Sequence, residues 1–258
     1  MRNSPDAQAP PDLEQALARS LHGDGPALAA RAEGGVLVAL FDLEQWRPCL
    51  AQAAALIDAE EAARVARQRL QPNREVLVLA YALHRLLLAA VLGCAGSEVA
   101  LGRDAKGCPR LPGDRLFTSL SHAGQRVAIV IAGAGPVGID IEPAERAREM
   151  PELAERVAHP DELRELSNLA PSAFGEALLA MWVRKEALLK AAGIGLELEM
   201  DRFVAPWDVV LPLPGDTFRG RSVELRAVHD PGWACAVATP PGAAIMPATR
   251  PGSPLAPA

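Results

Sequence analysis

Aromatic side chains are scarce in this chain: Phe, Trp and Tyr make up 4% of 258 residues, with a single tyrosine. Half of the residues are apolar nonetheless. The core must therefore be built mostly from Leu, Val and Ala, in one large domain or two modest ones. Long apolar runs are missing too. None reaches the ~18 residues of a spanning helix, and the longest candidate, Val76–Val91, is broken by His84 and Arg85. No membrane association is expected. The start has no basic stretch leading into an apolar segment and cleavage site, so no secretory signal is expected and the cytoplasm is the expected compartment. Cys49, Cys94, Cys108 and Cys235 are scattered without a C-x-x-C pair, which argues against both a zinc site and a disulfide framework. Positive charge is not in surplus. The formal net charge is −6, which argues against nucleic acid as the main partner.

The ends of the chain show no apolar periodicity and are rich in Pro, Ala and Gly. Residues 1–34 are expected to be disordered or weakly structured, apart from a possible short helix over Asp12–Arg19, and residues 240–258 to form a disordered tail. Between them, residues 35–135 and 136–239 are read as two halves. Gly35–Phe41 is a compact apolar run that predicts a buried strand. Asp58 is a candidate N-cap for a helix reaching Leu70, and Arg74–Leu92 predicts a long helix closed by Gly93. Short strands are predicted over Val99–Leu101, Phe117–Leu120, Val127–Ile131 and Val137–Ile141. Helical segments follow over Met150–Ala158 and Asp161–Leu169. A further helix runs from Ser172 to about Ala192 and stops at Gly193. Strands over Val223–Val228 and Trp233–Ala238 complete an α+β order, with no regular βαβ series.

Two short segments carry the chemistry. In Gly138-Ile139-Asp140-Ile141-Glu142 the two carboxylates stand two residues apart on a strand, so both point to one face. In Trp182-Val183-Arg184-Lys185-Glu186-Ala187-Leu188-Leu189-Lys190 a third carboxylate lies between two lysines. Trp182, Glu186 and Lys190 share one helix face, with Lys185 turned about 100° from Glu186. Three carboxylates with ammonium groups suit a magnesium–pyrophosphate site. The plainer alternatives are a solvated strand end for Asp140 and Glu142, and an ordinary i,i+4 pair for Glu186 and Lys190. The apolar residues around Glu186 leave little solvated helix face, which favours a cleft.

With Phe117-Thr118-Ser119-Leu120-Ser121-His122 before them, these segments resemble the 4′-phosphopantetheinyl transferases of the larger, Sfp-type class. That pattern reads G-x-D-x-E, then W-x-x-K-E-x-x-x-K-x-x-G, here completed by Gly193. The resemblance spans about Val36 to Val237. It implies two similar α/β halves related by a pseudo-twofold, with the active site in the cleft between them, in a monomer. It also implies transfer of 4′-phosphopantetheine from coenzyme A to a serine of an acyl or peptidyl carrier protein, releasing adenosine 3′,5′-bisphosphate. By the same resemblance Asp140, Glu142 and Glu186 would hold Mg²⁺, and Lys185 and Lys190 would neutralise phosphate oxygens, Lys185 with a share in the chemistry. Ser121, His122, Arg74 and Arg64 would contact the coenzyme. Glu186 is a candidate base, directly or through a metal-bound water, although a carboxylate committed to a metal is a poor base.

One departure stands out. Where the family has G-K-P, this chain has Gly107-Cys108-Pro109. A thiol supplies no permanent positive charge, and Lys106, two residues upstream of Cys108, is the expected substitute. The family's carrier substrates are generally acidic, so an acidic protein must attract them with a local basic patch, for which Arg64 and Arg67 are the candidates. Two other readings remain: a coenzyme- or carrier-binding module without turnover, and a magnesium-dependent hydrolase of nucleotide pyrophosphates.

Overall fold

The computed structural model describes residues 11–250, without the side chains of Asp114 and Leu196. Helices α1 (Leu13–Ser20) and α2 (Gly25–Gly34) come first, then strand β1 (Val36–Asp42). Helices α3 (Leu50–Leu56), α4 (Ala59–Ala66) and α5 (Gln71–Leu92) follow. Strands β2 (Gly102–Arg103), β3 (Pro109–Arg110), β4 (Phe117–Ala123), β5 (Arg126–Ala132) and β6 (Gly138–Pro143) lead to helices α6 (Ala154–Val157), α7 (Pro160–Leu166) and α8 (Pro171–Ala192). Strands β7 (Val210–Pro212), β8 (Ser222–Ala227), β9 (Trp233–Thr239) and β10 (Ile245–Pro247) close the described chain. The fold is α+β.

Both ends correct the expectation of disorder. In the first, α1 and α2 are capped by Asp12 and Asp24, whose carboxylates accept from the Gln15 and Ala27 amides. Leu13, Leu17 and Leu28 are buried in the same apolar cluster as α5. In the second, β10 pairs in parallel with β1, Val36 opposite Ile245, and Ala248 N donates to Val38 O at 2.7 Å. α1 matches the short helix expected over Asp12–Arg19, whereas composition concealed α2, which buries only Leu28 and Ala32, and β10, which is only partly buried. Residues 1–10 and 251–258, the remainder of the two tails expected to be disordered, lie outside the described residues. Val99–Leu101 is also corrected: it is a turn leading into β2 rather than a strand.

Two four-stranded sheets organise the rest, in the orders β10-β1-β5-β4 and β6-β9-β8-β7. Strand alternation assigns their faces. Leu37, Ala39 and Phe41 of β1 and Val127, Ile129 and Ile131 of β5 pack against α5. The alternate residues Val36, Val38, Ala128 and Val130 meet Ile139, Ile141 and Val237 of the second sheet in a separate cluster. Val223, Leu225, Ala236 and Ala238 of that sheet pack with α8. Helix α5 is long and apolar enough for a membrane by length and composition, yet 83% of its most apolar window is buried in the protein. It is a core helix. Both α5 and α8 are 22 residues long, begin with a proline in the first turn and end at a left-handed glycine, Gly93 or Gly193.

Candidate active site

Close approach of β6 to α8 builds the site. A Cβ at Gly138 would stand 2.0 Å from the Ala187 carbonyl oxygen, so only glycine lets the strand start against the helix. Ile139 and Ile141 then enter the cluster between the sheets, while Asp140 and Glu142 alternate to the other face. Lys190, on α8, donates to Asp140 Oδ1 at 2.7 Å and to the Ile139 carbonyl at 3.1 Å. The Ser121 hydroxyl donates to the same Asp140 oxygen at 2.7 Å. Asp140 Oδ2 is buried and has no hydrogen-bond partner. Glu142 is ion-paired with Arg146, whose guanidinium lies 4.7 Å over the Trp182 ring.

The three carboxylates sense one another. Glu186 is pushed up to about 7, first by burial and then by the negative charges of Asp140 and Glu142, with Lys190 and Arg146 pulling the other way. Burial also raises Glu142, helped by Asp140 and opposed by Arg146 and Lys190. Among the described residues no three Asp, Glu, His or Cys groups stand close enough to share a metal ion as placed. The expected three-acid chelate is therefore not assembled; Lys190 and Arg146 neutralise two of its members instead. A divalent cation nonetheless fits this neighbourhood. The orphaned Asp140 oxygen lacks a positive partner, and a hard cation would relieve the repulsion that raises Glu186 and Glu142.

Beside the acids opens a cavity of about 290 Å³, whose lining includes Arg64, Lys106, His122, Glu186 and Lys190. Burial and the Lys190 charge depress the His122 pKa, which favours a neutral ring that still offers one N–H. Arg64 turns inward, its Nε 3.4 Å from the Tyr81 hydroxyl; it belongs to the cleft rather than to an outer docking patch. Lys106 pairs with Glu197 at 2.5 Å. Cys108 lines the cavity, its thiol pushed up chiefly by burial and next by Asp104.

Three expected coenzyme contacts lie elsewhere. Lys185 is 0% exposed, and its ammonium donates to the Glu162 carboxylate and to the carbonyls of Val157, Met200 and Phe203. The turn of about 100° from Glu186 carries it to the far side of α8, where four acceptors consume an ammonium with three protons. Arg74 does not line the cavity; its Nε donates to Gln68 O at 2.8 Å. Ser121 is buried against Asp140 and does not line the cavity either.

Two cations went unread in the sequence. Arg103 stacks 5.0 Å over the Tyr81 ring, and Arg110 stacks 4.8 Å over Phe218 while pairing with Asp104. Both line the cavity. Their local signal was the Gly102–Arg110 segment, where a turn at Asp104–Gly107 sets Gly102 opposite Arg110 and Arg103 opposite Pro109. A larger cavity of about 510 Å³, near Phe41, Trp46 and Arg126, contains none of the motif residues. The smaller one holds the titratable groups that chemistry needs.

A family model described as the 4′-phosphopantetheinyl transferase superfamily matches residues 136–238. A putative 4′-phosphopantetheinyl transferase of Synechocystis is 29% identical over 195 residues, covering 72% of this chain and 78% of that protein. Residues 136–238 of the chain are thus similar to the 4′-phosphopantetheinyl transferase superfamily. The transferase HetI of a Nostoc species is similar at 28% identity, covering 60% of this chain and 67% of that protein. The Bacillus subtilis 4′-phosphopantetheinyl transferase is 28% identical, over 57% of this chain and 61% of its own length. The region matched to the superfamily runs from β6 to β9 and contains the three acids and Lys190. The cations of α4 and the β2–β3 hairpin, and His122 of β4, lie before it.

Proposed function

We propose that this chain transfers 4′-phosphopantetheine from coenzyme A to a serine hydroxyl of an acyl or peptidyl carrier protein. The observation that carries the reading is a cavity whose lining brings Glu186 and Lys190 together with Arg64, Arg103, Arg110 and His122, with Asp140 buried behind it on Lys190. A diphosphate needs acids for its metal and fixed cations for its oxygens, and phosphoryl transfer depends mainly on positioning and charge. The carrier serine oxygen would bond to the β-phosphorus as the bond to the bridging oxygen breaks, leaving adenosine 3′,5′-bisphosphate.

Asp140, Glu142 and Glu186 would hold Mg²⁺, with Lys190 and Arg146 giving up their present hold on the first two. When bound, the metal would neutralise pyrophosphate oxygens and polarise the phosphoryl group. Burial and its acidic neighbours raise Glu186 to about 7; a bound cation would relieve that rise, so Glu186 would serve the metal first and reach the serine proton only through a water. Lys190 would move from Asp140 toward a phosphate oxygen; neutral His122 would donate its N–H to another. Arg103 and Arg110, with Lys106, supply the charge that Cys108 does not. That weakens the case for a binding module that has lost turnover.

The matched pairs of sheet and long helix support two halves related by a pseudo-twofold, with the cavity between them. Because both halves are in one chain, a monomer acting in the cytoplasm is the corresponding expectation. Incubation with coenzyme A, Mg²⁺ and an apo carrier protein tests the function by mass spectrometry. The carrier should gain ~340 Da, the covalent mass of phosphopantetheine. Coenzyme bound without product would instead indicate a module, and coenzyme cleaved without carrier modification a hydrolase; either result defeats the proposal.

A further inference from the structure

Ser121 and Asp140 sit on neighbouring strands of different sheets, and the bond between them is one of two side-chain stitches. Two residues earlier on the same face of β4, Ser119 Oγ accepts from the Ile139 amide at 3.4 Å. Ser121 is 7% exposed and Asp140 5%. An ionised carboxylate offers about four acceptor positions. On Asp140 the two donors present, the Ser121 hydroxyl at 2.7 Å and the Lys190 ammonium at 2.7 Å, both take Oδ1. Oδ2 is left buried and unpartnered. The distribution is lopsided, and a carboxylate free to rotate would share its donors.

We infer that Ser121 is a positioning residue that fixes the rotation of the Asp140 carboxylate, so that Oδ2 is held ready for a divalent cation. This rests on the proposed transferase function. It replaces the coenzyme contact expected for Ser121: a serine has one hydroxyl proton, and here that proton goes to Asp140 and not into the cavity. His122, the next residue along β4, takes the cavity-facing place. Continuous pairing of β4 with β5 from Phe117 through Ala123 holds the Ser121 backbone in place. Groups that orient metal ligands in this way tune metal affinity without touching the metal.

The test uses the full chain with saturating coenzyme A and Mn²⁺ as the probe, free Mn²⁺ being read by electron paramagnetic resonance. Ser121→Ala should weaken Mn²⁺ binding ~10-fold, the lower end of the range for removing a ligand-orienting partner. At saturating Mn²⁺ its KM for coenzyme A should stay near the wild-type value. Ser121→Thr, which restores the hydroxyl, should recover most of the Mn²⁺ affinity, and circular dichroism checks that both variants are folded. Unchanged Mn²⁺ affinity in folded Ser121→Ala would overturn the inference, as would a raised coenzyme KM at saturating Mn²⁺. A folded Ser121→Thr that binds Mn²⁺ no better than Ser121→Ala would overturn it as well. The two levels separate on the wild type: absence of phosphopantetheine transfer to the carrier defeats the functional reading, whereas a competent wild type with an unaffected Ser121→Ala defeats only the role of Ser121.

Discussion

Lys185 and Lys190 are five positions apart on one helix, and their surroundings give them opposite tasks. Lys190 is partly exposed, lines the cavity and holds Asp140. Lys185 is fully buried, and burial lowers its pKa while the Glu162 carboxylate opposes the drop. Glu162 also accepts from the amides of His159 and Ala205 and lies 3.6 Å from Arg184, so Lys185 anchors α7 and the 200–205 turn to α8. Lys185→Met should therefore act on stability. Removing one partner of a buried pair costs about 3–5 kcal/mol, readable in urea unfolding, with the KM for coenzyme A little changed where the protein remains folded. Lys190→Ala should do the reverse and raise that KM about 10-fold, near 1.4 kcal/mol, the loss of one charged hydrogen bond. If Lys185→Met raised the KM at wild-type stability, Lys185 would belong in the cleft after all.

Elements position these side chains only as well as their backbones approach one another, and Gly138 sets the limit. A methyl group there would meet the Ala187 carbonyl at 2.0 Å and the Ala191 amide at 2.5 Å, both helix backbone. Neither can swing aside, so Gly138→Ala must push β6 away from α8. A stability loss of at least ~1–3 kcal/mol is expected from overpacking. The turnover rate should fall further than that loss explains, because Asp140 is two residues along the displaced strand. Gly102→Ala is the control: a Cβ there meets nothing within 4 Å, and both stability and rate should hold. Equal rates for the two variants would refute the close-approach argument.

Much at this scale was legible because its signals are local. Asp58 forms a capping box with Glu61, and Gly93 and Gly193 end their helices where the sequence placed them. The positions of Asp140, Glu142, Glu186 and Lys190 followed from strand and helix periodicity. What periodicity could not supply was the side of α8 that faces the cleft, and so Lys185 was misplaced. Arg103 and Arg110 were hidden because their convergence depends on cross-strand pairing. Helix α2 and strand β10 were hidden because they pack against partners outside their own segments.

Across the whole molecule, two helix–sheet cores and the cluster between the sheets must hold together around a buried imidazole. His84 of α5 is 0% exposed, with Nε2 2.7 Å from Thr118 Oγ1. The Thr118 hydroxyl donates its one proton to Val130 O at 2.9 Å, so Nε2 must carry the hydrogen, while Nδ1 is buried without a partner. Burial, followed by the charges of Arg103 and Arg85, lowers the His84 pKa to about 3, against ~6.5 for an unperturbed imidazole. Between those values the unfolded chain binds a proton that the native state refuses. Stability from this group is thus complete above about pH 6.5 and declines as pH falls toward 3, by at most about 1.4 kcal/mol per pH unit. Glu142 and Glu186, whose pKa values are raised, act in the opposite sense, their contribution being lost as pH rises. They are common to wild type and variant and cancel in a difference. His84→Gln keeps an N–H donor for Thr118 and removes the titration. Urea unfolding at pH 7, 6 and 5 should show the stability advantage of the wild type over His84→Gln shrinking as the solution is acidified. Parallel curves over that range would mean that His84 is not held neutral in the native protein.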